Sequence, residues 1–136
     1  MNIEFESALL WVRTVSDWGM LFLIWVVQLY IYPSFRKVRL GKFLDWHKRY
    51  MRRIAWLVGP LMAGQVVAGL GFMYLGISPA SVLYMTLVAA TWILTGLVAA
   101  PLHEKLQESG KALEIISRLI AWNWARTIIW TGIVFL

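Results

Sequence analysis

Four stretches of this chain, residues 9–32, 54–76, 79–102 and 113–136, are mostly apolar and long enough to cross a bilayer as helices, for which roughly 17–25 residues suffice. Little sequence remains between them. The spacing therefore predicts an all-α fold, a membrane four-helix bundle that forms a single transmembrane domain over residues 1–136. Hydrophobic residues make up 60% of the 136, above the roughly 45–50% of an ordinary soluble domain. The first stretch is preceded by Glu4 and Glu6, closes with Tyr30 and Tyr32, and is followed by Pro33. A secretory signal has a basic start and a small-residue cleavage site instead, so this stretch reads as a retained helix.

Eight of the thirteen Lys and Arg residues fall between Arg36 and Arg53, directly after the first apolar stretch. Short basic loops resist translocation, which places this connection in the cytosol. The first helix then runs inward, the second returns, and the turn near Ile77 lies outside. The connection from His103 to Ala112 carries Lys105 and Lys111 and is expected on the cytosolic side. Both termini are expected outside, in a bacterial inner membrane.

The basic connection has its own periodicity: Phe43, His47, Tyr50 and Ile54 recur at spacings of four, three and four, while Lys42, Asp45, Arg49, Arg52 and Arg53 fall largely elsewhere. That pattern predicts a basic amphipathic cytosolic helix between spans 1 and 2. Its cations suit the anionic headgroups of the cytoplasmic leaflet, at about 1 kcal/mol per well-placed charge. The net charge of +6 is thereby assigned to the membrane, and no nucleic-acid partner is expected. Gly59 and Pro60 early in the second span predict a kink. Gly64, Ala68, Gly71, Ala89, Gly96, Ala99 and Ala100 mark positions where helices can approach closely. Trp11, Trp18, Trp56 and Trp130 are placed as interfacial aromatic residues, and nine tryptophans are enough for some to line the interior.

Polar side chains inside the spans are the informative ones, because a charge at the bilayer centre costs roughly 2.5–3.5 kcal/mol and tends to face the bundle and pair. Arg13, Asp17 and Gln28 share a face with Ile24 on the first helix; Asn123, Arg126, Thr127 and Trp130 form a second stripe on the fourth. The two stripes are expected to face each other, and depth along the helices predicts an Asp17–Arg126 ion pair. Gln65, Thr91 and Thr95 add interhelical hydrogen bonds. The polar seam, and the candidate ligand-binding set, is Asp17, Gln28, Tyr32, Gln65, Asn123 and Arg126.

His47 and His103 both belong to the cytosolic end, where His103 continues a face through Trp92, Gly96 and Ala99. With Glu104, Gln28 and Tyr32 they form a candidate group for metal or haem binding or for proton relay. No HxxxH or HExxH spacing is present, so no metal site is assigned. The chain has no cysteine, which excludes disulfides, thiolate catalysis and cysteine-ligated metals. It also has no glycine-rich phosphate loop, nucleophile elbow or paired carboxylates, so hydrolase, kinase and transport-ATPase chemistry lacks support.

The strings IWVVQLYIYPSFRKV, FLDWHKRYMRRIAWLVGPLM and LIAWNWARTIIW resemble those of small bacterial four-helix integral membrane proteins of uncharacterised function. A more distant similarity is to haem-binding membrane protoporphyrinogen oxidases, carried by Tyr32-Pro33, by Pro60 to Met62 and by Asn123. That family places a haem-ligating histidine in its first helix, where this chain has none; the resemblance therefore implies His47 or His103 as the haem ligand. Anthrone oxygenase-like membrane proteins are similar in architecture, which alone says little about reaction.

The expected function is binding of a small lipophilic molecule, or of a partner membrane protein or second copy, through the polar seam. One alternative is a redox enzyme acting on a flat lipophilic substrate such as a porphyrin, quinone or polyketide aromatic. There Arg126 holds an anion, and His47 or His103 exchanges protons or ligates haem. A structural subunit of a membrane complex is the other.

Overall fold

The computed structural model describes residues 3–136, and among them the only regular structure is helical. Four helices follow one another: α1 (Ile3–Lys37), α2 (Leu40–Leu75), α3 (Pro79–Ser109) and α4 (Leu113–Val134). By length and apolar content α1, α2 and α3 can each cross a membrane. In α4 the run of apolar residues is broken by Arg118, Asn123 and Arg126.

Residues that pair across the helices show that neighbours are antiparallel. Leu9 meets Gly71, Gln28 meets Asn123, Arg36 meets Ser117, and Gly69 meets Met85. Each helix packs on two others, α1 on α2 and α4, and α3 on the same pair. The result is an up-down bundle. Its connections are shorter than the sequence suggested, because residues 103–109, expected as part of a loop, continue α3. Gly110 stops that helix at φ 77°, a left-handed backbone that glycine adopts without steric cost. At the start of α3, Ser78 caps the helix by accepting a hydrogen bond from the Ser81 backbone N–H at 3.1 Å, with Pro79 in the first helical position. The Lys111 ammonium donates to the carbonyl oxygens of Arg36 and Val38. One cation thus ties the end of α1 to the start of α4.

Helix α2 runs unbroken from Leu40 through the basic segment and Pro60 into the apolar segment. Phe43 and His47 are buried, Trp46, Tyr50 and Ile54 half-buried, and Lys42, Asp45, Arg49, Arg52 and Arg53 exposed. The two faces are those the periodicity predicted. The other two mid-helix prolines behave differently from Pro60. Pro33 comes after a π-helical turn over Val27–Ile31, and Pro101 after one over Thr95–Ala99. Proline lacks an N–H and its ring crowds the carbonyl four residues back; a widened turn just before it relieves that clash. Such a turn holds one extra residue, which rotates the remainder of the helix by about 100°.

Large apolar side chains face outward while many polar ones lie inside beside the apolar core. Trp11, Phe22, Trp56, Leu97 and Ile128 point outward, while Asp17, Gln28, His47, Gln65, Thr91, His103, Asn123, Arg126 and Thr127 are buried. Trp130, expected at an interface, is completely buried. Two apolar clusters hold the bundle. One surrounds Phe35 and Phe43 at the basic end; the other surrounds Met20, Met62, Val88 and Trp130. Phe35 lies within 5.3–6.2 Å, ring centre to ring centre, of Phe43, Trp46, His47, Tyr50 and His103. Such aromatic pairs contribute about 0.5–1.5 kcal/mol each beyond the area they bury.

Of the small residues, those on α2 carry the close approaches. A Cβ built on Gly71 would stand 2.5 Å from a Leu9 methyl, and one on Gly64 would collide with the Ser16 hydroxyl. Gly96 on α3 meets nothing, and Ala89 and Gly96 are not among the buried residues. Gly71→Val is therefore expected to destabilise the protein by roughly 1–3 kcal/mol through overpacking at α1. Gly132→Ala, where a Cβ meets nothing, should be neutral or slightly stabilising. Unfolding in detergent micelles measures both; equal effects would contradict the α1–α2 contact.

Candidate functional site

The buried polar side chains form three groups arranged along the bundle. In the first, the Asp17 carboxylate on α1 accepts hydrogen bonds from Gln65 Nε2 at 2.8 Å and from the Tyr84 hydroxyl at 2.9 Å. Arg13, one turn away, completes its partners at 3.3 Å. The Gln65 carbonyl in turn accepts from Trp130 Nε1 at 3.0 Å. Four helices thus meet through one carboxylate and the amide beside it. The expected Asp17–Arg126 ion pair does not form. A neutral amide on α2 and a phenol on α3 take the place assigned to Arg126, since a carboxylate can be satisfied by several donors of either kind.

Arg126 heads the second group. Its guanidinium donates to Asn123 Oδ1 at 3.1 Å, one turn back on α4. Asn123 Nδ2 donates to Gln28 Oε1 at 2.7 Å, and Gln28 Nε2 to the Ile120 carbonyl at 3.2 Å. The guanidinium also lies 5.2 Å from the Trp130 ring centre, within cation–π range. No ion pair joins Arg126 to a described carboxylate. Its Nε is buried and has no hydrogen-bond partner. An unmet buried donor costs about 1–3 kcal/mol, and more when charged.

The third group lies where the two π-turns end. The Tyr32 hydroxyl and His103 Nε2 are 3.0 Å apart, His103 Nδ1 and His47 Nε2 are 3.0 Å apart, and His47 Nδ1 is 2.9 Å from Gln107 Oε1. The Gln107 oxygen only accepts, so His47 Nδ1 carries the proton there. With neutral rings, this fixes the remaining donors. His47 Nε2 accepts from His103 Nδ1–H, and His103 Nε2 accepts from the Tyr32 hydroxyl. The four side chains form one directional chain, with the two imidazoles stacked 5.3 Å apart.

A cleft of about 350 Å³ opens beside these groups. Its walls are apolar, with Met20, Ile24, Val27, Val58, Met62 and Trp92, and its polar boundary is Tyr32, Tyr50, Thr95, His103 and Arg126. Ala55 and Gly59 on α2 and Ala100 on α3 line it and are themselves exposed, so it opens sideways between two helices. On the far side of His103 a second, larger hollow at the basic end is bounded by His47, Lys48, Arg52, Glu104 and Gln107. His103, Met51 and Ala100 border both spaces.

All eight residues singled out by sequence, Asp17, Gln28, Tyr32, His47, Gln65, His103, Asn123 and Arg126, are buried. They do not make one seam. Gln28 belongs with Arg126 rather than with the histidines, and Glu104, which its place in the sequence grouped with them, is exposed. The face predicted through Trp92, Gly96, Ala99 and His103 borders the cleft, with Ala99 and His103 buried and Trp92 and Gly96 exposed at its open side. Tyr84 and Gln107 are absent from the sequence-based set. Gln107 stands four residues after His103, a spacing that was legible; Tyr84 shares a face with Val88, Thr91 and Thr95.

As arranged, these residues do not fit haem. Every ring nitrogen of His47 and His103 is engaged in a hydrogen bond within the chain. Among the described residues, no group of three His, Cys, Asp or Glu side chains stands close enough to hold a metal ion.

Gln65 is the joint between the first group and the apolar cluster around Trp130. Gln65→Leu removes a donor to Asp17 and leaves Trp130 Nε1 buried and unpaired, for an expected loss of about 1–3 kcal/mol. Adding Trp130→Phe should cost less in that background than in the wild type, by about 0.5 kcal/mol or more. Strict additivity in a double-mutant cycle would contradict the Gln65–Trp130 bond. No family model, curated protein or solved structure matches this chain, so its functional reading rests on the geometry itself.

Proposed function

We propose that this chain is a multi-pass inner-membrane protein that binds a small lipophilic molecule in the lateral cleft, with an anionic or hydrogen-bond-accepting headgroup on Arg126. The observation that carries this reading is the Arg126 side chain. It borders an apolar cleft, has no carboxylate partner, and keeps a buried Nε–H without an acceptor. A purely structural polar contact has no use for an unmet charged donor, which destabilises the bundle. A ligand headgroup in the cleft would meet the guanidinium that borders it. The apolar walls would take the ligand's hydrocarbon part, and the small residues at the mouth would let it enter from the lipid.

In this reading α4 is the fourth span. Its 22 residues are long enough at about 1.5 Å per residue, and Asn123 and Arg126 face the bundle rather than lipid. The basic end, with Arg36, Lys48, Arg52, Lys105 and Arg118, is cytosolic and lies against anionic headgroups. Both termini are outside.

Binding is tested by titrating the purified protein in phosphatidylcholine nanodiscs with a fluorescent long-chain carboxylate. Arg126→Gln should weaken binding at least about tenfold, the equivalent of a lost charge-assisted hydrogen bond. Gly59→Leu, whose side chain enters open space at the cleft, should weaken it without loss of stability. The exposed Arg118→Gln should leave it unchanged. Equal affinity of the wild type and Arg126→Gln would sink the reading. Orientation is tested separately, since the chain has no native cysteine. A membrane-impermeant thiol reagent applied to intact cells should label Ile77→Cys and miss Lys42→Cys; the reverse would overturn the topology.

A further inference from the structure

The geometry points to a proton-relay function for the chain Tyr32–His103–His47, by which a weakly acidic lipophilic ligand in the cleft loses its proton to the basic end of the bundle. This rests on the cleft being a ligand site, and it narrows the ligand to a phenol-like or enol-like acid. Three observations converge. The links are each 2.9–3.0 Å and run without a gap from Tyr32 to Gln107. The first member borders the cleft and the last members border the hollow on the other side, with His103 lining both. On the inner side the rings are shielded, because Phe35 and Phe43 are fully buried against them.

The transfer balances without any further reactant. The ligand O–H gives its proton to the Tyr32 oxygen as the Tyr32 hydroxyl proton moves to His103 Nε2. His103 Nδ1–H moves to His47 Nε2, and His47 becomes an imidazolium whose Nδ1–H still donates to Gln107. Tyr32 ends with the ligand's proton and holds the new anion through a hydrogen bond from that O–H. Arg126 supplies the neutralising charge. His47 then releases its Nδ1 proton to water in the hollow; both rings keep hydrogen on Nε2 while the anion stays bound, and the chain resets by tautomer exchange when it leaves. Gln107 holds His47 both before the transfer and as the imidazolium, because each carries a hydrogen on Nδ1.

The charged and titratable groups around the pair set the direction. Tyr32 faces it from α1, Tyr50 from α2 and Arg126 from α4; Lys48, Arg52 and Glu104 border the hollow. Arg126 favours the anion on the cleft side, and Glu104 favours a transient cation on the hollow side. Lys48 and Arg52 speed the departure of the proton, since a cation held beside them is repelled.

The test uses a long-chain alkyl nitrophenol, whose phenolate absorbs visible light, mixed rapidly with the full chain in phosphatidylcholine nanodiscs. In the wild type the phenolate band should rise with binding. His47→Phe keeps an aromatic ring against Phe35 and Phe43 but removes both nitrogens. It should preserve the affinity and slow the rise of the band by roughly a hundredfold, the lower end of what a positioned proton-transfer group contributes. Nitrogen NMR of isotope-labelled histidine in the wild type provides an independent readout: His103 should pass from Nδ1–H to Nε2–H as the probe is added. An unchanged rate in His47→Phe, or an unchanged His103 tautomer, would overturn the relay and leave ligand binding standing. Failure of the probe to bind the wild type, or equal binding by Arg126→Gln, would instead overturn the ligand site and the relay with it.

Discussion

A guanidinium inside an apolar bundle has to be held by something, and the arrangement of this protein depends on how Arg126 is held. Charge at the centre of a bilayer costs roughly 2.5–3.5 kcal/mol on insertion scales. Arg126 is only 7% exposed. It is supported by Asn123, which is fixed by Gln28, which is fixed by the Ile120 carbonyl. That support binds α1 to α4 at one register. It also uses amides rather than carboxylates, so the positive charge is positioned without being neutralised.

The other polar groups are placed so as not to compensate for it. Asp17 is committed to Gln65, Tyr84 and Arg13, and the Trp130 ring lies between the two groups, touching both. On the other side, two prolines make the Tyr32–His103 contact. Pro33 and Pro101 each come after a widened turn, and those turns aim Tyr32 and His103 at each other across α1 and α3. The aromatic cluster around Phe35 then holds the rings in place. The cleft lies where the unneutralised charge and the aimed histidine chain meet.

Much of this was legible in the sequence. The apolar lengths gave the helices, and the spacing of Phe43, His47, Tyr50 and Ile54 gave the buried face of α2 correctly, because that segment is regular α-helix. The Gln28 and Asn123 stripes were rightly placed opposite each other. Spacing also placed Trp92, Gly96, Ala99 and His103 on one side of α3, and all four border the cleft. It failed for Asp17. Depth along a helix says which groups lie at one level, but it cannot choose among an arginine, an amide and a phenol at that level. Opposite charge favoured Arg126, whereas packing delivered Gln65 and Tyr84. Loop expectations erred at residues 103–109, where charged residues continue a helix that Gly110 ends.

The central claim is that Arg126, left without a carboxylate partner, binds a ligand headgroup in the cleft. It is tested most directly by native mass spectrometry of the protein released from gently solubilised membranes. The account predicts one lipophilic molecule with an acidic or oxygen-rich headgroup per chain on the wild type, and its loss from a chain in which Arg126 alone is replaced by glutamine. A wild-type chain that carries nothing, or the same bulk phospholipids on both proteins, would contradict it.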